Sequence, residues 1–424
     1  MASGSRQGKS GDGGVIGRYF PDSMKLFPLG LGSFHFLVLW GALLFSMLGS
    51  GEGYRTCAYL NVLLVVVYSV RFVSKKHFVP WKHILVVLWI PLVFILLHLL
   101  AGGEITGVKL MTRIWLVVFF TFGWLMLAHN PDRPQWETVV NSLILLVSLF
   151  VVIEFMAYAL NAAQYIKSWR YGTLNNPHHL ALYILITVPF IVYVTISRDG
   201  PVRYWLMLLM ALEAWMLLKT SSRPAWIGLL AGGMALIPFI AGRRKFIGLA
   251  ILIAVPVLLY FLGPMQFHDR VQDLIEHITT EERVAIWTDT WHMQQASSAM
   301  EWMRGHGFES FTETFKSYSS FHSKSTDFVF PHNFFLELLY KSGVIGLLLA
   351  ITMYVVLFRG IIRVGINSPD PQMRLLALLL LSTMVMHFVH TFLVLPFFSH
   401  YNLFLLALFF AARHLLMQRH PVVK

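Results

Sequence analysis

Apolar runs of about 18 to 25 residues recur along this chain, each long enough to cross a ~30 Å hydrocarbon core as a helix. They predict about twelve spans, near 31–49, 57–73, 83–101, 112–128, 139–160, 179–197, 201–218, 225–241, 246–262, 333–358, 375–395 and 399–417. The runs do not alternate apolar and polar positions, which excludes a closed barrel and predicts an all-α integral membrane bundle. Residues 1–30 are Gly- and Ser-rich, with no apolar core, and read as a disordered cytoplasmic tail. Residues 31–424 then form a single transmembrane domain, with the first span an uncleaved signal anchor. A long polar segment, 264–330, is inserted between the ninth and tenth spans and predicts the main loop on the outer side. A shorter outer segment, 161–178, carries Lys167, Trp169, Arg170, Tyr171 and the turn Asn175-Asn176-Pro177-His178.

Composition agrees with the pattern. Apolar residues make up 57% of the 424, and charged residues 13%, against roughly 25% in a soluble domain. Basic residues concentrate on one side, at Arg71, Lys75, Lys76, Lys82, Arg243, Arg244, Lys245, Arg359, Arg363, Arg413 and Arg419 among others. The positive-inside rule therefore places both termini in the cytoplasm. The net charge of +12 fits contact with anionic lipid headgroups and not nucleic acid. The one cysteine, Cys57, has no partner for an internal disulfide.

Three segments carry candidate chemistry at the outer edge. In Thr220-Ser221-Ser222-Arg223-Pro224, either serine can cap the eighth span, with Pro224 in its first turn. Arg223 then sits at a helix N-terminus, where backbone N–H groups and a guanidinium suit a phosphate. The alternative is an interfacial anchor whose charge reaches back to water. In the loop, Thr279 and Glu282 fit a capping box. The helix that follows puts Arg283, Trp287, Thr290 and Gln294 on one face, with Val284 and Trp291 beside them. Arg283 is either a ligand for an anion or a surface charge paired with Glu281 or Glu282. His332 opens the tenth span in Pro331-His332-Asn333 and can accept a proton near neutral pH. Asn333 is placed to orient it.

Other polar groups point elsewhere. Glu337 and Lys341, one turn apart, are expected to pair with each other. His387 and His390 have one-face spacing, but no third metal ligand lies near them in sequence. Gly305-His306-Gly307-Phe308 reads as a turn. The outer loops hold no D-x-D pair for a divalent cation, so no metal and no cofactor is expected, and arginines would have to neutralise any pyrophosphate.

Taken together, Ser222-Arg223, Arg283-x-x-x-Trp287, Gly305-x-Gly307-Phe308, Pro331-His332-Asn333 with Leu336 and Gly343-x-x-Gly346, and Asn176-Pro177 resemble the O-antigen ligase family. That group also includes O-antigen polymerases and pilin-type oligosaccharyltransferases. The resemblance covers residues from about 170 to 350. It implies a GT-C-like glycosyltransferase bundle in a bacterial inner membrane, with its active site facing the periplasm. It further implies an undecaprenyl-pyrophosphate-linked polysaccharide as donor and lipid A–core oligosaccharide as acceptor, in a metal-independent, inverting transfer. Carried over by motif, Arg223 and Arg283 bind the pyrophosphate and His332 acts on the acceptor hydroxyl, with Asn333, Trp287 and Arg170 as supporting candidates. A polymerase using the same donor is the alternative, and a transporter of lipid-linked sugars a weaker one.

Overall fold

The structure is a computed structural model that describes residues 31–73, 81–103, 118–127, 136–168, 176–240, 242–262, 268, 272, 282–308, 310–319, 328 and 330–419. Among these the regular elements are all helices. The first group comprises α1 (Leu31–Met47), α2 (Gly51–Val73), α3 (Trp81–Leu100), α4 (Val118–Leu127) and α5 (Trp136–Ser168). It continues with α6 (Pro177–Ser197), α7 (Pro201–Lys219), α8 (Arg223–Leu236, ending in a 3₁₀ turn Ile237–Phe239) and α9 (Arg244–Leu262). Three short helices follow within the long polar segment: α10 (Glu282–Gln295), α11 (Ala299–Arg304) and α12 (Phe311–Tyr318). The chain closes with α13 (Phe334–Asn367), α14 (Pro371–Val394) and α15 (His400–Arg419).

Five of these helices are long and apolar enough to cross a membrane: the α5 stretch Glu137–Leu160, α6, α7, α13 and α14. Shorter apolar helices fall on Gly32–Met47, Trp89–Leu100, Val118–Leu127, Arg223–Phe239 and Tyr401–Met417. Helix α2 begins at Gly51, ahead of the expected 57, and two helices run well past their expected C-terminal ends. Helix α5 runs on to Ser168, into the segment read as loop, because Asn161 to Ser168 contains neither Gly nor Pro to stop it. Helix α13 runs to Asn367, since Arg359 and Arg363 extend the last turns as good helix formers.

The core is organised around α14, which packs on α8, α13 and α6. Close approach to α8 depends on a small-x-x-x-small face. A Cβ at Gly228 would lie 3.1 Å from the Met386 carbonyl oxygen, and one at Gly232 would collide with the Met386 side chain. Ser382 Oγ uses this proximity to donate to the Gly232 carbonyl at 3.0 Å. Such faces let helix backbones meet where lipid offers no hydrophobic drive for association. At the N-terminal end of α13, Phe334 seals the α13–α14 seam, with its ring against Phe388, Phe392 and Phe397.

A backbone lock joins the long segment to α13. Gly343 interrupts that helix with φ 66°, a conformation that any Cβ resists. A Cβ there would also collide with the Met303 carbonyl, and one at Gly305 with the backbone of Lys341. The turn 305–307 spends its own N–H groups on this contact: His306 N donates to the Tyr340 carbonyl at 2.9 Å and Gly307 N to the Lys341 carbonyl at 3.0 Å. The Gly305-x-Gly307 turn is therefore a docking element, and its amides are unavailable to a phosphate. Gly343→Ala is expected to lower stability by about 1–3 kcal/mol from backbone strain alone. Thermal unfolding in detergent would show it, and an unchanged midpoint would mean the kink is dispensable.

A buried ion pair holds the opposite flank. Glu337 and Lys341 are 0% and 7% exposed, and Lys341 Nζ lies 2.8 Å from Glu337 Oε1, as their spacing predicts. Glu337 Oε2 also accepts the Phe397 N–H at 2.6 Å, so the carboxylate pins the α14–α15 connection to α13. Glu337→Gln leaves Lys341 buried without its counter-charge and is expected to destabilise by about 3–5 kcal/mol. Glu337→Gln with Lys341→Met should recover much of that loss in the same unfolding assay.

Candidate functional site

Three helix N-termini meet at one end of the bundle, each built by a local rule. Asn176 caps α6: its Oδ1 accepts the His178 N–H at 2.8 Å, and Pro177 takes the first helical position. Asn333 caps α13, with Oδ1 accepting from Phe335 N at 3.0 Å and Leu336 N at 3.2 Å. Its Oδ1 is taken by those backbone donors and His332 Nδ1 has no partner among the described residues, so the role seen for Asn333 is to fix the helix start, not to orient His332 as expected. Ser222 stands at the cap of α8 yet makes no capping hydrogen bond with its side chain. Instead its Oγ lies 3.0 Å from His178 Nδ1 and ties the starts of α6 and α8 together.

His332 occupies the joint before α13 in a left-handed conformation, φ 51°. That backbone is uncommon outside Gly, although His, with Asn and Asp, adopts it more readily than other residues. It is half-buried, with the Phe330 ring 4.3 Å from its own and the Phe328 ring at 6.1 Å. The imidazole hydrogen-bonds the Val394 carbonyl at the end of α14. Its Nδ1 is buried without a hydrogen-bond partner among the described residues. A bond to Val394 made through the other ring nitrogen, Nε2, would leave the lone pair on Nδ1. Burial, and after it the positive charge of Arg283, push the imidazole down to about 4, although the Val394 bond acts the other way.

Arg283, in the first turn of α10, is half-buried. Its guanidinium lies near enough for its charge to act on His332, His178 and His390. The structure thus brings together Arg283 and His332, which are far apart in sequence. Arg223 begins α8 directly after Ser222, and so enters the same neighbourhood through the Ser222–His178 contact. Its side chain is half-buried. On the predicted α10 face, Thr290 and Gln294 are buried at 0% and 1% exposure, and Trp287 is half-buried with Nε1 unpartnered among the described residues. Trp291 lies on the other side, 42% exposed, with its ring 5.8 Å from Trp302. Arg170 and the proposed cap Thr279 lie outside the described residues.

Sequence reasoning treated His178 as part of a turn and His390 as half of an isolated pair. In the structure His390 is fully buried, with its ring 6.3 Å from that of His178. His179 meets Tyr401 at 4.2 Å. Among the described residues no group of three or more His, Cys, Asp or Glu side chains is arranged to hold a metal ion. The available signal for His178 was its position two residues after a capping Asn, opposite a serine with no capping task of its own.

One other constellation has the residue types of a nucleophilic triad. Ser297 Oγ lies 2.7 Å from His306 Nε2, and His306 Nδ1 lies 3.6 Å from Glu301 Oε1. Glu301 is occupied by a capping box with Ser298. Ser297 Oγ already donates to the Met293 carbonyl at 3.1 Å, so its proton is not offered to His306. This group therefore fastens α10 to α11.

Comparison with known proteins agrees with the pattern of motifs. Residues 205–351 match the family model described as O-Antigen ligase, a stretch that contains Arg223, Arg283, His332 and Asn333. The chain is also similar to an O-antigen ligase of Pseudomonas aeruginosa, at 28% identity over 257 residues. That alignment covers 60% of this chain and 58% of the relative's length.

Proposed function

We propose that this protein is a membrane glycosyltransferase that transfers O-antigen polysaccharide from undecaprenyl pyrophosphate to a sugar hydroxyl of lipid A–core oligosaccharide. It would do so at the periplasmic face of a bacterial inner membrane that it crosses about twelve times, with its termini in the cytoplasm. The observation that carries this reading is the approach of the Arg283 guanidinium to the His332 imidazole, whose Nδ1 has no hydrogen-bond partner among the described residues. The family match and the name of the Pseudomonas relative support the same class of reaction.

The chemistry follows from charge. As the anomeric carbon leaves the diphosphate, the C1–O electron pair passes to a phosphate oxygen, and negative charge grows there. Arg283 and Arg223 stabilise that charge more in the transition state than in the ground state. The acceptor oxygen forms the new bond to C1 from the opposite face, and its proton passes to His332 Nδ1. Attack opposite the leaving group inverts the anomeric configuration. Both substrates are lipids, which accounts for a site at the end of the bundle.

In the free enzyme His332 is a weak base, because burial first and the Arg283 charge second oppose its protonation. A bound diphosphate neutralises Arg283 and raises the basicity of His332 where the transfer needs it. The pH dependence should reveal this coupling. The acid limb of kcat/KM, which reports the free enzyme, is expected near the His332 value of about 4. The acid limb of kcat, which reports the bound complex, should lie at higher pH. Coincident limbs would remove the coupling. The same depression makes stability fall as pH drops from about 6.5 toward 4, since the unfolded chain takes up the proton first.

The deciding experiment gives purified full-length protein both undecaprenyl-linked polymer and lipid A–core. Polysaccharide on the core, formed equally with and without EDTA, is the expected product. Longer undecaprenyl-linked chains with none on the core would make it a polymerase. Movement of intact donor across a bilayer without bond exchange would make it a transporter.

A further inference from the structure

The end of α13 remote from His332 carries a groove that the proposed transfer does not use. It is shallow and open to its surroundings, with a volume of about 500 Å³, and is lined by Val355, Phe358, Arg359, Ile362, Arg363 and Asn367 of this one helix. These positions recur at intervals of three and four, so they form one stripe along the helix. Arg363 follows the start of α13 at Phe334 by nearly the whole helix, roughly 40 Å at 1.5 Å per residue. That distance exceeds a ~30 Å hydrocarbon core, so the guanidinium groups stand at the headgroup level of the opposite leaflet.

A third guanidinium belongs to the same cluster. Arg413 of α15 lies close enough for the Arg363 charge to act on it, and its Nε donates to the Val356 carbonyl at 3.0 Å. Gly360 makes room for this crossing, since a Cβ there would collide with the Arg413 side chain. Arg55, Arg198 and Arg203 each have a carboxylate within ion-pair distance. Among the described residues Arg359, Arg363 and Arg413 have none. Like charges gathered on neighbouring helices repel unless an anion is shared among them.

We propose that this groove binds one anionic phospholipid, of the phosphatidylglycerol or cardiolipin type. An acyl chain lies along Val355, Phe358 and Ile362. Arg359 and Arg363 hold the phosphodiester, for which the guanidinium fork is the matching donor. Asn367 offers its amide to the glycerol oxygens beyond. A zwitterionic headgroup fits less well, because its ammonium would add to three positive charges. A free anion would leave the apolar stripe uncovered. The site is independent of glycosyl transfer and stands or falls without it.

Native mass spectrometry of the full-length protein in detergent, titrated with phosphatidylglycerol or phosphatidylcholine, tests the assignment. The wild type should retain one phosphatidylglycerol at least tenfold more tightly than phosphatidylcholine. Arg359→Gln with Arg363→Gln should abolish that preference, whereas Arg374→Gln, a basic change at the same end but outside the groove, should leave it intact. Ile362→Trp keeps the charges, fills the apolar stripe and should weaken retention to a similar degree, which guards against misfolding of the double variant. Equal retention of the two lipids by the wild type would overturn the proposal. So would an equal loss in Arg374→Gln, or full competition by inorganic phosphate.

Discussion

His332→Asn is expected to lower kcat by about 10²- to 10⁴-fold, the usual contribution of a positioned general base. Asparagine is the informative replacement because it tolerates the left-handed backbone that His332 adopts, φ 51°. What it lacks is a basic lone pair at the Nδ1 position. Alanine should lose at least as much activity but adds backbone strain, so the comparison separates chemistry from folding. Unchanged thermal unfolding of the Asn variant with collapsed turnover is the anticipated pair of results. A normal ladder of polysaccharide-bearing lipopolysaccharide from His332→Asn cells would reduce His332 to a structural residue.

Arg283→Ala should be nearly as damaging, with kcat/KM reduced by about 10²- to 10³-fold, as for removal of one preorganised donor at a developing charge. Arg283→Lys should restore little, because a point charge does not reproduce a planar fork on a phosphate. The variant also carries a second signature. Arg283 lowers the His332 pKa through its charge, so in residual activity the acid limb of kcat/KM should move to higher pH when that charge is removed. A purely structural Arg283 would change the rate without moving the limb. Arg223→Ala is also expected to lose activity, because its guanidinium is the second donor proposed for the diphosphate.

The helical class was legible because its signal is physical and local: long apolar runs admit few other folds. So were the Glu337–Lys341 pair, set by a one-turn spacing, and the Gly305-x-Gly307 turn. The one-face reading of Arg283, Trp287, Thr290 and Gln294 also survives, with the inward burial of Thr290 and Gln294 as its physical content. Trp291 does not share that face and points outward.

What the sequence concealed is set by long-range packing. Asn333 and Ser222 are both good capping residues, yet only Asn333 caps with its side chain; Ser222 is drawn to His178 on another helix. No local rule predicts which serine will abandon its helix end. The relation of His390 to His178 depends equally on α14 lying against α6, which sequence spacing does not encode. The run-on of α5 through residues 161–168 reflects polar composition mistaken for loop, since Asn, Gln, Lys and Ser are compatible with helix when no Gly or Pro intervenes.

The Val394 carbonyl that holds the His332 ring belongs to a part of the chain that the ribosome makes later than every proposed site residue. A nascent protein released before α14 is in place would already contain Arg223, Arg283 and His332, yet its imidazole would lack the acceptor that selects the proton's position. Competence for chemistry should therefore switch on late in biogenesis, once the final hairpin is seated. A truncation after Asn367 would consequently produce a polypeptide with a full set of reactive side chains and no turnover, and supplying the missing hairpin as a separate fragment should restore it.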